Sequence, residues 1–292
     1  MNKFRISNDQ LEVEFQSKGA EITRIYNKET GLEYLWNANP AFWPKYSPVL
    51  FPIVGGLKNN TYFYQNQPYK FNNRHGFARE SEFEVCFQDD NSIHFLLAQQ
   101  EETLRQYPFH FEFQVQHTIR GNSLFVTYFV KNTDTKELPF SFGAHPAFKI
   151  PLVEGTAFSD YYLQFNIAEN TGRYNLSPEG LIEKTPVPFF ENTVTFPLSK
   201  ELFYKDALVF KTLQSDTISI LSDKTRHGLK VQFKGFPFMG IWNFKDADFV
   251  CIEPWCGIAD SVDTNQQILE KEGIILLQPG EICSRTWSVE VF

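Results

Sequence analysis

Short stretches in which apolar and polar residues alternate recur along the whole chain. Leu11-Glu12-Val13-Glu14-Phe15 has a period of two, as do Phe111-Glu112-Phe113-Gln114-Val115-Gln116-His117-Thr118-Ile119 and Leu124-Phe125-Val126-Thr127-Tyr128-Phe129-Val130. That period sends successive side chains to opposite faces of an extended strand, one toward a core and one toward water. Between the last two segments lies Arg120-Gly121-Asn122-Ser123, which predicts a tight hairpin. Turn formers at Gly55-Gly56, Asn59-Asn60, Asp89-Asp90-Asn91 and Pro279-Gly280 punctuate the rest. Helical periodicity is weak, and only Glu101–Gln106 and Lys200–Phe203 suggest short helices. Many strands, closely spaced turns and few helices predict an all-β fold, a large antiparallel β-sandwich. No linker, low-complexity tract or repeat divides the 292 residues, so one domain over residues 1–292 is the simpler organisation.

Composition sharpens this picture. The chain holds 31 Phe and 12 Tyr, which favours pleated, half-buried surfaces over helices and also supplies flat faces for a sugar ring. Most of these rings are expected simply to fill the core. A chain of this length should bury roughly three quarters of its unfolded surface, so its core needs no metal or disulfide. Its net charge of −8 argues against nucleic acid or an anionic membrane as partner. No apolar run reaches the length of a membrane span, and the first residues lack a secretory hydrophobic region. Cys86, Cys251, Cys256 and Cys283 follow neither a disulfide framework nor paired zinc knuckles, and read as reduced, half-buried thiols of a cytoplasmic protein.

Three separated segments hold titratable side chains in constrained settings. They are Arg74-His75-Gly76-Phe77-Ala78-Arg79, Gly143-Ala144-His145-Pro146-Ala147-Phe148 and Cys251-Ile252-Glu253-Pro254-Trp255-Cys256-Gly257. Two imidazoles and one carboxylate are the minimum for moving a proton between oxygens near neutral pH. His145 is out of phase with Phe140 and Phe142, so it should face away from the core; that is also the phase of a solvent-facing histidine. His117 shares the apolar phase of its strand, the pattern of a core histidine. Glu253 ends an apolar run, where burial would raise its pKa as a general base requires. A Glu paired with Arg or a backbone amide would fit the same run. Asp206 opens Ala207-Leu208-Val209-Phe210 either as a hydroxyl ligand or as a turn former. Nucleophile-elbow, phosphate-loop, dinucleotide and metal-ligand motifs are absent from the sequence. A glycosidase carboxylate pair stays open, because its spacing in space cannot be read from sequence.

These segments, in order, resemble the aldose 1-epimerases, the galactose mutarotases, and most closely the LacX-type branch. The resemblance rests on Phe51-Pro52-Ile53-Val54-Gly55, the His75 and His145 segments, Asp206–Phe210, Gly240-Ile241-Trp242 and Ile252–Gly257, which together span nearly the whole chain. It implies a sandwich of the galactose mutarotase type with a cleft on its concave sheet, and small-molecule chemistry without metal or organic cofactor. It further implies Glu253 as the base at the anomeric hydroxyl, His145 as the acid at the ring oxygen, His75 as a polarising group and Asp206 as a hydroxyl ligand. Trp255 would serve as an aromatic platform. The loop where the galactose mutarotases proper carry an Arg reads Gly55-Gly56-Leu57-Lys58-Asn59-Asn60 here, with Lys58 as its cation. Arg74, Arg79 and Lys58 together would suit a sugar phosphate, whereas Arg79 would equally suit an ion pair with Glu80, Glu82 or Glu84. The expected ligand is thus a sugar or sugar phosphate. A homodimer is allowed for, since symmetric interfaces leave no clear mark in a sequence. A non-catalytic sugar-binding protein on the same scaffold is the rival reading.

Overall fold

The computed structural model describes residues 2–292. Its largest element is a nine-stranded antiparallel sheet running Val187–Pro197, Tyr161–Arg173, Thr217–Ser222, Thr225–Gln232, Ile282–Val291, Ser123–Asn132, Phe111–Arg120, Ser92–Ala98 and Glu84–Gln88. The alternation seen in the sequence sets its faces. Phe111, Phe113, Val115, His117 and Ile119 point inward, opposite Leu124, Val126, Tyr128 and Val130 of the next strand. Arg120 pairs with Ser123, which leaves Gly121 and Asn122 as a two-residue turn. The expected helices form at Glu101–Gln106, an α-helix, and Lys200–Phe203, a 3-10 turn.

Packed against this sheet is a second one of short strands: Leu208–Phe210, Phe238–Trp242, Phe249–Cys256, Phe142–Ala144 and Val49–Leu50, with Ala147–Lys149 also pairing to Phe249–Cys256. A smaller antiparallel sheet of Lys3–Ser7, Leu11–Gln16, Glu21–Asn27 and Leu32–Glu33 completes the N-terminal side. One contiguous apolar cluster runs through the sandwich and draws on all three sheets. The fold is an all-β antiparallel sandwich, and among the described residues no helix is long and apolar enough to cross a membrane. The cysteines are all free, with Cys86 exposed, Cys283 half-buried, and Cys251 and Cys256 fully buried rather than half-buried as expected.

The strand Phe249–Cys256 is buried along its whole length. Strand geometry splits its residues between two environments. Val250, Ile252 and Cys256 join the main core, whereas Cys251 and Trp255 belong to small separate clusters on the opposite face. Glu253 shares that opposite face. A carboxylate therefore emerges in the floor of a cleft from the middle of an apolar strand.

Candidate active site

The cleft encloses about 460 Å³, and its walls include His75, His145, Asp206, Glu253 and Trp255. Each reaches it by a different local device. His145 follows the strand Phe142–Ala144 and is held flat by Trp43, whose ring stacks on it at 5.0 Å and 26°, while Trp242 meets it edge-on at 5.6 Å. Its Nε2 lies 3.3 Å from Glu253 Oε2, with 10% and 2% of the two side chains exposed. Nδ1 of His145 is buried without a protein partner.

His75 is fixed by backbone rather than by packing. Its N–H donates to the Gly55 carbonyl at 2.8 Å, and the Gly55 N–H donates to His75 Nδ1 at 3.1 Å. With Nδ1 an acceptor, the neutral ring carries its proton on Nε2, which assigns the tautomer. Both His75 and Gly76 adopt φ of +69°, and a Cβ on Gly76 would come 2.3 Å from the Phe51 carbonyl oxygen. Only glycine fits there. The two imidazoles meet edge to face at 5.7 Å.

Trp255 is seated between two glycines of neighbouring strands. A Cβ on Gly143 would approach its Cδ1 to 2.7 Å, and one on Gly240 its Cζ2 to 2.4 Å. The indole N–H is buried beside the Glu253 carboxyl, outside good hydrogen-bond geometry with it, and favours its ionised form. Asp206 stands just before the strand Leu208–Phe210 with φ of 157°, a backbone region that favours glycine, and its Oδ1 accepts the Ala207 N–H at 2.7 Å. The other carboxylate oxygen is left for the cleft that the residue lines.

The three predicted cations part company. Arg79 lines the cleft half-buried, its Nε has no partner, and none of the expected acidic neighbours pairs with it. Glu80 is instead held by Lys18 at 2.7 Å and Lys45 at 2.6 Å. Arg74 lines the outer wall and donates to the Glu179 carbonyl at 3.0 Å. Lys58 is not part of the cleft wall: its ammonium donates to the Val262 carbonyl at 2.7 Å, and its N–H to Asp260 at 2.9 Å. A loop spacing cannot reveal that a lysine is spent on a backbone carbonyl.

Trp43 is the wall residue that motif reasoning passed over. It lies in Pro40-Ala41-Phe42-Trp43-Pro44, between strands, so no alternation assigns it a face. A large aromatic held between prolines with no strand to bury it was the available signal.

Burial dominates the electrostatics. It pushes the Glu253 carboxyl well above its ordinary value, with the Asp206 carboxylate adding to the rise. It pulls His145 down to about 3 and His75 well below its ordinary value, in both cases helped by the Arg79 charge. The Glu253–His145 pair thus favours neutral partners with one mobile proton between them. His145, Cys251 and Glu253 also bring one donor atom each to within 4.8 Å of one another. Burial, seconded by Glu253, holds the Cys251 thiol well above its ordinary value.

A family model described as aldose 1-epimerase matches residues 2–290. The chromosomal LacX protein of Lactococcus lactis subsp. lactis is 34% identical over 294 residues, covering 98% of each chain. A solved galactose mutarotase related enzyme from Lactobacillus acidophilus superposes with a TM-score of 0.95 at 34% identity, covering 100% of this chain and 97% of its own. A galactose mutarotase-like protein from Lactobacillus casei gives 0.93 at 27% identity with full coverage of both. The sandwich is therefore of the galactose mutarotase type, and the chain belongs to the aldose 1-epimerase family.

Proposed function

We propose that the protein interconverts the α and β anomers of a hexose or hexose 6-phosphate, by acid–base opening and reclosure of the ring. The observation that carries this reading is the buried Glu253–His145 pair, 3.3 Å apart on the wall of a cleft that fits a small molecule.

The chemistry needs one proton acceptor and one proton donor. When the sugar's anomeric hydroxyl donates to Glu253, it favours the ionised carboxylate and sends the shared proton to His145 Nε2. Glu253 then takes the hydroxyl proton as the C1–O5 bond breaks, and His145 delivers its proton to O5. The open aldehyde rotates about C1–C2, and the two groups exchange roles on closure. Each is worth roughly 10²–10⁴-fold in rate. His75, neutral and with Nε2–H as donor, polarises the region of the ring oxygen.

Arg79 and Asp206 line the same cleft, one a cation and the other a carboxylate. An unpaired Arg79 suits a phosphate on C6.

Proton NMR exchange at equilibrium with glucose, galactose and their 6-phosphates tests the reading. Faster anomer exchange for at least one sugar, lost in Glu253→Gln, is expected. No acceleration for any of them, with shifts showing that sugar binds, would replace the epimerase by a binding protein.

A further inference from the structure

Behind the cleft wall lies a buried ion pair that the anomer-exchange chemistry does not use. Lys271 Nζ is 2.7 Å from Asp260 Oδ1, and 3% of each side chain is exposed. Neither residue lines the cleft. A pair this dry adds little to stability, because the cost of taking both charges out of water largely offsets their attraction. Its partners point instead to a role in geometry.

All the polar groups of Asp260 are engaged. Its N–H donates to the Gly56 carbonyl at 2.9 Å, and its carbonyl accepts the Ile182 N–H at 2.8 Å. Oδ2 accepts the Lys58 N–H at 2.9 Å, which leaves Oδ1 for Lys271. Gly56 and Ile182 are wall residues of the cleft, and so is Ala259, the residue before Asp260. Ala259 packs directly on Gly55, where an added Cβ would come 2.4 Å from the Ala259 Cβ. Gly55 in turn exchanges two hydrogen bonds with His75, one of which holds Nδ1 as an acceptor. The Asp260 carboxylate, clamped by Lys271, therefore fixes the loop at Lys58 while Ala259 presses on it at Gly55. With both points held, the Gly55 N–H stays aimed at His75 Nδ1.

We infer that Lys271 and Asp260 are positioning residues of the reaction, which through Gly55 fix the tautomer and direction of His75. The effect on rate rests on the epimerase reading; the effect on the His75 ring does not.

Deleting one partner would strand the other's charge in the interior, so the two are changed together. A first double variant, Asp260→Leu with Lys271→Met, keeps the bulk but takes the acceptor from the Lys58 N–H. A second, Asp260→Asn with Lys271→Gln, drops both charges and keeps that acceptor. Independently, Lys58→Pro removes the N–H itself, at the first position of a 3-10 turn after an extended Leu57, where proline fits. Lys58→Met is its control. Anomer exchange is followed by NMR together with the ring-nitrogen shifts of His75, which distinguish a protonated from a bare nitrogen. The first double variant and Lys58→Pro should lower kcat by about 10- to 100-fold with KM nearly unchanged, and move the His75 shifts toward a mixture of tautomers. The second double variant and Lys58→Met should keep native kcat and native shifts. Native His75 shifts in the first double variant and in Lys58→Pro overturn the proposal, as does an equal loss in the second double variant. Should the first double variant fail to fold, Lys58→Pro against Lys58→Met decides alone. If the native protein accelerates no sugar, the epimerase reading has failed, and the ring-nitrogen shifts decide the positioning by themselves. A change confined to variants that lose the bond from the Lys58 N–H to Asp260 upholds it; unchanged shifts overturn it.

Discussion

The two principal sheets are built on different terms. In the nine-stranded sheet the strands are long, ten residues for Phe111–Arg120 and Ser123–Asn132 and thirteen for Tyr161–Arg173. The inner strands of that sheet have one face in the core and one toward water. In the sheet that bears the cleft most strands have two to five residues, and the eight of Phe249–Cys256 are buried on both faces. The first sheet has a large margin for local error, because each strand contributes several inward side chains. The second has little, because its chemistry depends on single residues placed by short strands and by turns such as His75-Gly76. Stability and reactivity are thus divided between layers that share one core.

The largest expected break falls on the cleft side. Glu253→Gln should lower kcat by about 10²–10⁴-fold while the circular dichroism spectrum and Tm stay close to native. His145→Asn should behave alike, and the double variant should be hardly worse than either single one, since the two act as a unit. Full additivity would separate their roles.

Next comes a contrast between two glycines. Gly76→Ala drives a methyl group against the Phe51 carbonyl from a φ of +69° and should cost about 2–4 kcal/mol, measured by urea unfolding. Gly121→Ala in the hairpin of the large sheet, at φ of +59° and facing only the end of the Gln10 side chain, should cost about 1 kcal/mol. Equal losses would contradict the division drawn above.

A third test sits in the core of the large sheet. His117 is wedged against Phe15 at 4.6 Å and Phe95 at 5.8 Å, and burial lowers its pKa to about 3. The unfolded chain takes up that proton near pH 6.5 and the folded chain only near 3. Stability is therefore lost as pH falls through this window, by up to about 1.4 kcal/mol per pH unit. His117→Phe should flatten the fall of Tm between pH 6.5 and 4.5, though His75 and His145 titrate in the same direction and keep part of it. An unchanged slope would clear His117 of the effect.

The smallest effect is electrostatic. Active enzyme carries one proton on the Glu253–His145 pair, so the acid limb of kcat/KM marks the second protonation of the pair and lies below the ordinary histidine range. Arg79 lowers that value, and Arg79→Met should move the limb upward, by about a pH unit or less. A limb that stays in place would put Arg79 too far from the imidazole to matter.

How much of this could be read in advance also follows the division between sheets. The strands around Arg120–Ser123 were legible because alternation and turn chemistry are local. So was the phase that sends His145 away from the core. Trp43 was not legible, because a loop aromatic has no period to give its direction. Lys58 was misplaced for a related reason: the Val262 carbonyl that holds it is 204 residues away. The missing partner of Arg79 was equally hidden, since Lys18 and Lys45 compete for Glu80 from separate parts of the chain.

The seating of Trp255 limits how the cleft can be redesigned. Gly143 and Gly240 are small because the indole occupies the room their methyl groups would need, so the three positions form one mutational unit. Alanine at Gly240 alone should expel the ring, but beside Trp255→Ala it should be tolerated, a non-additivity of the kind found for contacting residues. Libraries that vary Trp255 one position at a time would sample mostly cavities. Varying it together with the two glycines would reach cleft shapes that no single substitution can.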